Sequence, residues 1–315
     1  MTLKTLIHLA LAEDIGRGDV TTRVLVPRNQ RGAGVIVAKE PGVLSGIKLA
    51  GEIFRQRDPS LVVKRHKKSG ARVKKGEKIL TVKGRVRSIL GAERVALNFL
   101  GHLSGVATLT RRYVDKIRGT KARIYDTRKT TPLWRELEKE AVKSGGGKNH
   151  RFGLWDEILV KDNHWAAIDQ SLQTSRSGAR QSPNRRWLWA LRALARIKKR
   201  KGVAVEIEVE NLKQLAELLS LPFIPDRILL DNFSVRDLKR AVIFVEGLDY
   251  VLRTRYNLRR KTAGERRALP LLEASGRITL ANIRAVALTG VDRISIGRLT
   301  HSAPALDFSL ELRKA

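Results

Sequence analysis

DTRKTTPLWRELEKEAVKSGGGKNHRFGLWDEILVKDNH, residues 126–164, is the stretch around which the rest of this chain is organised. Arginine presents a planar fork of donors that matches a carboxylate or phosphate in two parallel hydrogen bonds, and lysine adds a compact charge beside it. The glycines at 145–147 let backbone N–H groups approach an anion, because no Cβ intervenes. The stretch therefore predicts an anion-binding site, whose basic and imidazole side chains are Arg128, Lys129, Lys148, His150, Arg151, Lys161 and His164.

A flexible loop in a generally basic protein is the weaker alternative for this stretch. Solvated charge normally covers a helix face, whereas these basic residues lie at the ends of apolar segments and beside glycines. The runs TRKTTP, KSGGGKNHR and LVKDNH resemble the signature of the quinolinate phosphoribosyltransferase family. The runs LAEDIGRGDVTT at 11–22 and AERVALNFLGHLSGVAT at 92–108 are similar to the same family, so the resemblance spans nearly the whole chain.

Short β-prone segments with polar ends recur after residue 120, and most are followed by a helix-like run, which is typical of βα units. Such units can close into a barrel, which carries its site at the carboxyl ends of the strands. A doubly wound open sheet is the alternative, but no G-x-G-x-x-G follows the first strand. The segments are ARIYD (122–126), EILV (157–160), VAVEIEVE (203–210), RILLDN (227–232), LPLLEASG (269–276) and RISIGRLTHS (293–302).

Two domains are predicted, and the resemblance implies a TIM-like α/β barrel with a smaller N-terminal α+β open sandwich domain. We assign residues 1–118 to the sandwich domain, to which C-terminal residues can return, and 119–315 to the barrel. The apolar spacing of residues 1–12 predicts a helix that ends near Gly16. Glycine-punctuated segments over 34–84 predict short strands. Residues 92–118 predict two helices, or one kinked helix, broken at Gly101 and Gly105.

The net charge of +32 is larger than one anion site requires, since such a site uses roughly six to eight basic residues. The basic runs lack interleaved aromatic residues and any known nucleic-acid module, so we predict a solvated basic surface and consider nucleic acid an unlikely partner.

With no cysteine in the chain, a reducing cytoplasm fits. No apolar run is long enough to span a bilayer. Residues 171–186 and 250–267 are polar or basic insertions that we expect to lie away from the chemistry.

What the resemblance implies for activity is the conversion of quinolinate and phosphoribosyl pyrophosphate to nicotinate mononucleotide, pyrophosphate and CO₂, in NAD biosynthesis. By position, the residues that would hold quinolinate's two carboxylates or line their pocket are Arg94 of the partner subunit, Thr127, Arg128, Lys129, His150, Arg151 and Lys161. Those that would hold the 5′-phosphate are Ser275, Gly276, Arg277, Ile296, Gly297 and Arg298. The catalytic residues would be Lys129, His150, Glu208 and Asp231. The shared Arg94 implies a homodimer with shared active sites, or a hexamer.

Glu208 and Asp231 follow from the residues as well, because carboxylates at neighbouring strand ends suit ribose hydroxyls and a Mg²⁺ ion. Glu206, Glu208 and Glu210 alternate along one strand and share a face, and only the family spacing selects Glu208. For His150, the nearby positive charges predict a lowered pKa. A neutral donor to a carboxylate is therefore its expected role, with general acid as the alternative.

Four positions depart from the family pattern. Arg277 stands where the family has a second glycine, Arg298 where it has a small residue, and Leu133 and Trp134 where it has Gly-Leu. Two other functions stay open: a fold-sharing paralogue associated with molybdate transport, and a non-enzymatic nucleic-acid-binding descendant. The full set of Arg94, Arg128, Arg151 and Lys161 disfavours the paralogue, because a substrate without two carboxylates would leave arginines unpaired.

Overall fold

A computed structural model describes residues 2–174, 190–198, 202–221, 223–256 and 269–313. The helices are α1 Leu3–Ile15, α2 Val20–Leu25, α3 Ile47–Arg57, α4 Val86–Lys116, α5 Arg135–Ser144, α6 Asp162–Thr174, α7 over residues 190–198, α8 Leu212–Leu219, α9 Val235–Tyr256, α10 Ile283–Leu288 and α11 Arg298–His301. The strands are β1 Arg31–Ala38, β2 Gly42–Val43, β3 Val62–Arg65, β4 Arg72–Val73, β5 Lys78–Arg85, β6 Arg123–Tyr125, β7 Ile158–Val160, β8 Val205–Val209, β9 Arg227–Asp231, β10 Leu271–Ser275, β11 Arg293–Ser295 and β12 Phe308–Arg313.

The chain forms two units by its internal contacts. The first comprises residues 1–115, 129–149 and 297–315, and the second comprises 116–128 and 150–296. The sequence-based boundary after residue 118 stays a prediction, and the contacts interleave the two units along the chain rather than placing them in succession.

An antiparallel sheet in the order β12-β1-β5-β3 forms the centre of the first unit. Its C-terminal strand pairs with its first strand, with Ala33 opposite Arg313 and Ala38 opposite Phe308. The predicted strands within 34–84 are present, and the predicted N-terminal helix ends at Gly16, whose φ of 49° suits a residue without a Cβ.

Six parallel strands form the sheet of the second unit, in the order β6-β11-β10-β9-β8-β7. Neighbours in the sheet are neighbours in sequence, except that the first strand lies beside the last, which is the strand order of a barrel. All six predicted βα segments supply these strands, so the predicted TIM-like α/β barrel with a smaller N-terminal domain is confirmed.

Helix α4 is a single helix of 31 residues, so the alternative of two separate helices is wrong. The glycines serve close packing instead. A Cβ at Gly105 would overlap the carbonyl oxygen of Pro304, and one at Gly101 would lie 2.9 Å from the carbonyl oxygen of Leu306. The chain that leads into β12 therefore lies directly on α4, where larger residues would push it away.

The two predicted insertions are described only in part. Residues 171–174 continue α6 as helix rather than loop, and residues 250–256 belong to α9. The remainder of both insertions, 175–186 and 257–267, lies outside the described residues. Among the helices described, none is both long and apolar enough to cross a membrane.

Candidate active site

The carboxyl ends of the barrel strands carry several of the predicted site residues. Lys161 directly follows β7, Glu208 lies near the end of β8, and Asp231 and Ser275 are the last residues of β9 and β10. Parallel strands bring these ends to one edge of the sheet, and the register places Ser275 opposite Asp231. These predicted residues therefore lie along the same edge of the sheet in the second unit.

Arg128 and Arg151 lie close enough to affect each other electrostatically. Burial lowers the pKa of Arg151, and the positive charge of Arg128 lowers it further. The carboxylates of Glu206, Asp156 and Glu157 act on Arg151 in the opposite direction and offset part of this repulsion. A bound dianion would compensate the two guanidinium groups further. This is the arrangement expected for a ligand with two carboxylates.

Lys161 forms an ion pair with Glu208, so a predicted substrate lysine and a predicted ribose-binding carboxylate are partners here. Burial raises the pKa of Glu208, Lys161 opposes this, and the charges of Asp231 and Asp162 add to the rise. Glu208 and Asp231 therefore lie within electrostatic reach of each other. Their hard oxygen atoms fit Mg²⁺.

Lys129 belongs to the first unit, where α11 holds it. The hydroxyl of Thr300 donates to the backbone oxygen of Lys129 at 2.6 Å. A Cβ at Gly297 would lie 2.9 Å from the Cδ of Lys129, so the lysine side chain crosses the glycine closely. Lys129 thus lies beside the predicted phosphate residues Gly297 and Arg298.

The loop after β10 has the backbone expected of a close-approach site. Gly276 has a φ of 87°, and a Cβ there would overlap the side chain of Asn232. Arg277 has a φ of 52°, which an L-residue adopts only with strain. Its side chain is exposed, whereas the neighbouring Ile278 is buried.

The pKa of His150 is raised, whereas its sequence neighbours predict a lowered pKa. Its Nε2 lies 3.0 Å from a carboxylate oxygen of Glu206 and 3.3 Å from one of Glu273. Burial lowers the pKa of His150, but the two carboxylates outweigh it and raise the pKa to about 9. The expectation of a lowered pKa from Lys148 and Arg151 is therefore wrong, because Glu206 and Glu273 contact the ring and raise its pKa.

One backbone hydrogen bond disfavours protonation of the His150 ring. The N–H of Arg151 donates to Nδ1 of His150 at 2.7 Å, which favours an unprotonated Nδ1. A protonated Nδ1 could not accept this hydrogen bond, so the contact opposes the rise in the pKa that the two carboxylates cause. In the structure Nδ1 is the acceptor, and the ring proton on Nε2 faces Glu206 and Glu273.

His150 is the centre of an alternating series of charged side chains, which we name the charge ladder. An Arg227 nitrogen lies 2.6 Å from Glu157 and another 3.5 Å from Glu206. On the other side, Arg293 lies 2.5 Å from Glu273, and its guanidinium covers the ring of Tyr125 at 3.7 Å. In order, the members of the ladder are Glu157, Arg227, Glu206, His150, Glu273 and Arg293.

Sequence reasoning missed most of this ladder. Glu206 was recognisable, because it shares a strand face with Glu208. Arg227, Glu273 and Arg293 also had a signal, since each charge lies inside an apolar strand segment. Barrel interiors are usually filled by branched apolar side chains, so buried charges at such positions indicate a specific role.

His150, Glu157 and Glu206 have ligand atoms within 4.8 Å of one another, the spacing of a metal site. The guanidinium of Arg227 already contacts both of these carboxylates. A metal ion would have to displace that cation or repel it. We therefore interpret the group as part of the charge ladder.

The triple glycine has a packing role. A Cβ at Gly145 would lie 2.5 Å from the carbonyl oxygen of Ala107, and one at Gly147 would lie 2.9 Å from Thr110. Helix α4 packs against these glycines, at the place where the sequence predicts an anion. The glycines fix the chain that leads towards His150.

The remaining predicted residues are placed as follows. Arg94 is exposed on α4 in the first unit, and its reach into a second subunit stays a prediction. Thr127 follows β6 and is partly buried, and Ile296 is buried after β11.

A separate groove of about 740 Å³ between α1 and α3 contains none of the predicted residues, and its walls include Leu3, Ile7, Lys48 and Leu49.

Comparison with known families matches almost the whole chain. Residues 19–104 match the quinolinate phosphoribosyl transferase N-terminal domain, and residues 106–311 match the C-terminal domain of the same family. The chain is 40% identical over 311 residues to nicotinate-nucleotide pyrophosphorylase [carboxylating] of Mycobacterium leprae, covering 97% of this chain and 95% of that one. The Synechocystis relative, named a probable enzyme of the same kind, is 38% identical, with 96% and 90% covered.

Solved structures agree with this match. Nicotinate-nucleotide pyrophosphorylase from Ehrlichia chaffeensis is 35% identical and superimposes with a TM-score of 0.79, covering 99% of each chain. The corresponding protein from Francisella tularensis is 33% identical, also with a TM-score of 0.79, and 99% of this chain and 96% of that one are covered.

Proposed function

This chain belongs to the quinolinate phosphoribosyltransferase family, and we infer that it converts quinolinate and phosphoribosyl pyrophosphate to nicotinate mononucleotide, pyrophosphate and CO₂. It is a decarboxylating pentosyltransferase of NAD biosynthesis. The observation in the structure that best supports this substrate is the proximity of two guanidinium groups in the second unit, those of the buried Arg151 and the partly buried Arg128. Quinolinate offers two adjacent carboxylates that would neutralise both.

The reaction joins the ring nitrogen of quinolinate to the anomeric carbon as pyrophosphate leaves. Positive charge develops on the ribose through an oxocarbenium-like state, and carboxylates fixed beside it stabilise that charge. We propose Glu208 and Asp231 for this role and for contacts to the ribose hydroxyls. The carboxylate next to the ring nitrogen then leaves as CO₂. The electron pair of the broken bond stays on that ring carbon, stabilised by the positively charged ring, and a proton from solvent then binds there.

Lys161 connects quinolinate binding to the role of Glu208. Its ion pair with Glu208 has to be exchanged when a quinolinate carboxylate takes the lysine, and the exchange releases Glu208 towards the ribose. Lys129, held by Thr300 beside Gly297, is proposed to contact the phosphate groups. Ser275, Gly276 and Arg277, with Ile296 and Arg298, are proposed for the 5′-phosphate.

We further propose that Mg²⁺ enters with phosphoribosyl pyrophosphate, with Glu208 and Asp231 as its nearest protein oxygens. Such an ion would screen the charge of the pyrophosphate. We also propose a cytoplasmic homodimer in which Arg94 of the partner subunit completes each site. The cysteine-free sequence supports that location.

Calorimetry with quinolinate tests the substrate directly. We expect Arg128→Ala to lose about 2–5 kcal/mol of binding free energy, because a bidentate charged contact is removed from a half-buried pocket. Arg236→Ala is the matched control, since it removes an exposed arginine on α9 of the same unit. Equal affinity of wild type and Arg128→Ala would remove Arg128 from the site, and absence of turnover by the wild type would refute the function.

A further inference from the structure

The charge ladder lies in an unusual place for six charged or imidazole side chains. Glu206 and Glu273 have no solvent-exposed area, and His150, Arg227 and Arg293 are less than a tenth exposed. Replacing buried ion pairs by apolar residues is often neutral or stabilising. Stability alone therefore gives a weak reason for charges in a barrel interior.

Ion pairing, rather than aligned hydrogen bonds, holds the ladder together. In the part of the chain that the structure describes, the carboxylate oxygens of Glu206 and Glu273 have no well-aligned hydrogen-bond donor, although cations lie 2.5–3.5 Å away. His150 Nε2 carries at most one proton and faces two carboxylates. The attraction of the two carboxylates for the Nε2 proton is thus what keeps the imidazole in place.

His150 connects this ladder to both arginines of the anion site. Its ring accepts the backbone N–H of Arg151 at 2.7 Å. Its own backbone N–H donates to the buried carboxylate of Asp126 at 2.8 Å, two residues before Arg128. Both ring nitrogens face protein groups, so the ring has no nitrogen directed at a ligand.

We propose that Glu206 and Glu273 are positioning residues, which hold the His150 ring and through it fix the backbone of Arg151 and the loop that carries Arg128. This inference rests on the proposed function, because the anion that the two arginines receive is quinolinate. Glu206 and Glu273 do not touch the substrate. His150 is likewise a positioning residue, contrary to the donor role expected from the sequence.

The test uses Glu206→Gln and Glu273→Gln in the full-length protein. Each glutamine keeps the shape and removes the charge that holds the imidazole. We expect the KM for quinolinate to rise at least tenfold, while the KM for phosphoribosyl pyrophosphate changes less than twofold. Glu210→Gln is the control, because its side chain is exposed just beyond the end of the same strand.

A spectroscopic readout separates positioning from general damage and needs no substrate. With histidine labelled, NMR titration of His150 in wild type should give a pKa near 9, and in either variant a pKa lower by at least one unit. The Arg151 amide resonance should move with it. Unchanged His150 titration and unchanged quinolinate KM in folded variants would overturn the proposal.

Two other results need a separate interpretation: a single variant that does not fold, and a wild type without turnover. If a single variant does not fold, Glu273→Gln combined with Arg293→Gln removes a neighbouring pair and leaves the ladder balanced. Weak quinolinate binding by that folded double variant supports the proposal, and wild-type binding refutes it. If the wild type itself shows no turnover, the proposed function fails, whereas the NMR measurements still decide whether the carboxylates hold His150 and Arg151.

Discussion

Two single residues have backbone conformations that their side chains disfavour. Leu133 has a φ of 68° and Arg277 a φ of 52°, both in the left-handed region. These are two of the positions at which the sequence departs from its family by replacing a glycine. The departure was visible in the sequence, but its cost was not, because only the backbone angles show that each position suits glycine.

We expect Leu133→Gly to raise the free energy of unfolding by about 1 kcal/mol, because it removes left-handed strain. The leucine side chain is 72% exposed, so its loss forfeits little packing. Leu133→Ala is the control, since alanine keeps the Cβ and therefore the strain. Urea unfolding of both variants measures the difference, and a glycine variant no more stable than the alanine variant would contradict the idea.

At the scale of elements, a buried carboxylate joins α5 to α4 and to the loop that follows Lys129. Glu138 has no exposed area. It accepts hydrogen bonds from the Thr131 N–H at 3.1 Å and the Thr131 hydroxyl at 2.7 Å. Nε2 of His102 on α4 lies 2.7 Å from Oε1 of Glu138, the oxygen that also accepts the Thr131 hydroxyl. The loop is therefore fixed two residues after Lys129, and Thr300 fixes Lys129 itself.

Glu138→Gln should destabilise the protein by roughly 1–3 kcal/mol, because the glutamine amide cannot accept all of these donors. It should also raise the KM for phosphoribosyl pyrophosphate, since Lys129 would lose its fixed backbone. Glu140→Gln, exposed on the same helix, controls for charge. Thermal melting and steady-state kinetics measure the two effects, and unchanged values for both would show that the contact is dispensable.

The strands were predictable and the contents of the barrel were not. Apolar runs with polar ends identify six strands, and the ends of those strands led to Glu208, Asp231 and Ser275. The charge ladder depends instead on which residues of adjacent strands are paired, Glu206 with Arg227 and Glu273 with Arg293. That pairing is set by register and tilt, so the sequence of His150 and its neighbours suggested the wrong pKa direction.

At the scale of the whole molecule, we predict that each active site is formed by residues of two chains. Arg94→Ala and Arg128→Ala should each be inactive as pure dimers. When the two variants are mixed and re-equilibrated, half of the dimers are mixed, and each has one site with both arginines intact. Activity should recover to about a quarter of wild type. No recovery in a mixture shown by mass spectrometry to contain mixed dimers would show that Arg94 does not act in the partner subunit's site.

The pairing of β12 with β1 constrains how the protein is made. A ribosome that has synthesised β1, β3 and β5 must still produce every strand of the barrel before β12 exists. Until then, one side of β1 exposes unpaired N–H and C=O groups, which can recruit a strand from another chain. Completion of the first sheet therefore has to wait for synthesis of the second unit.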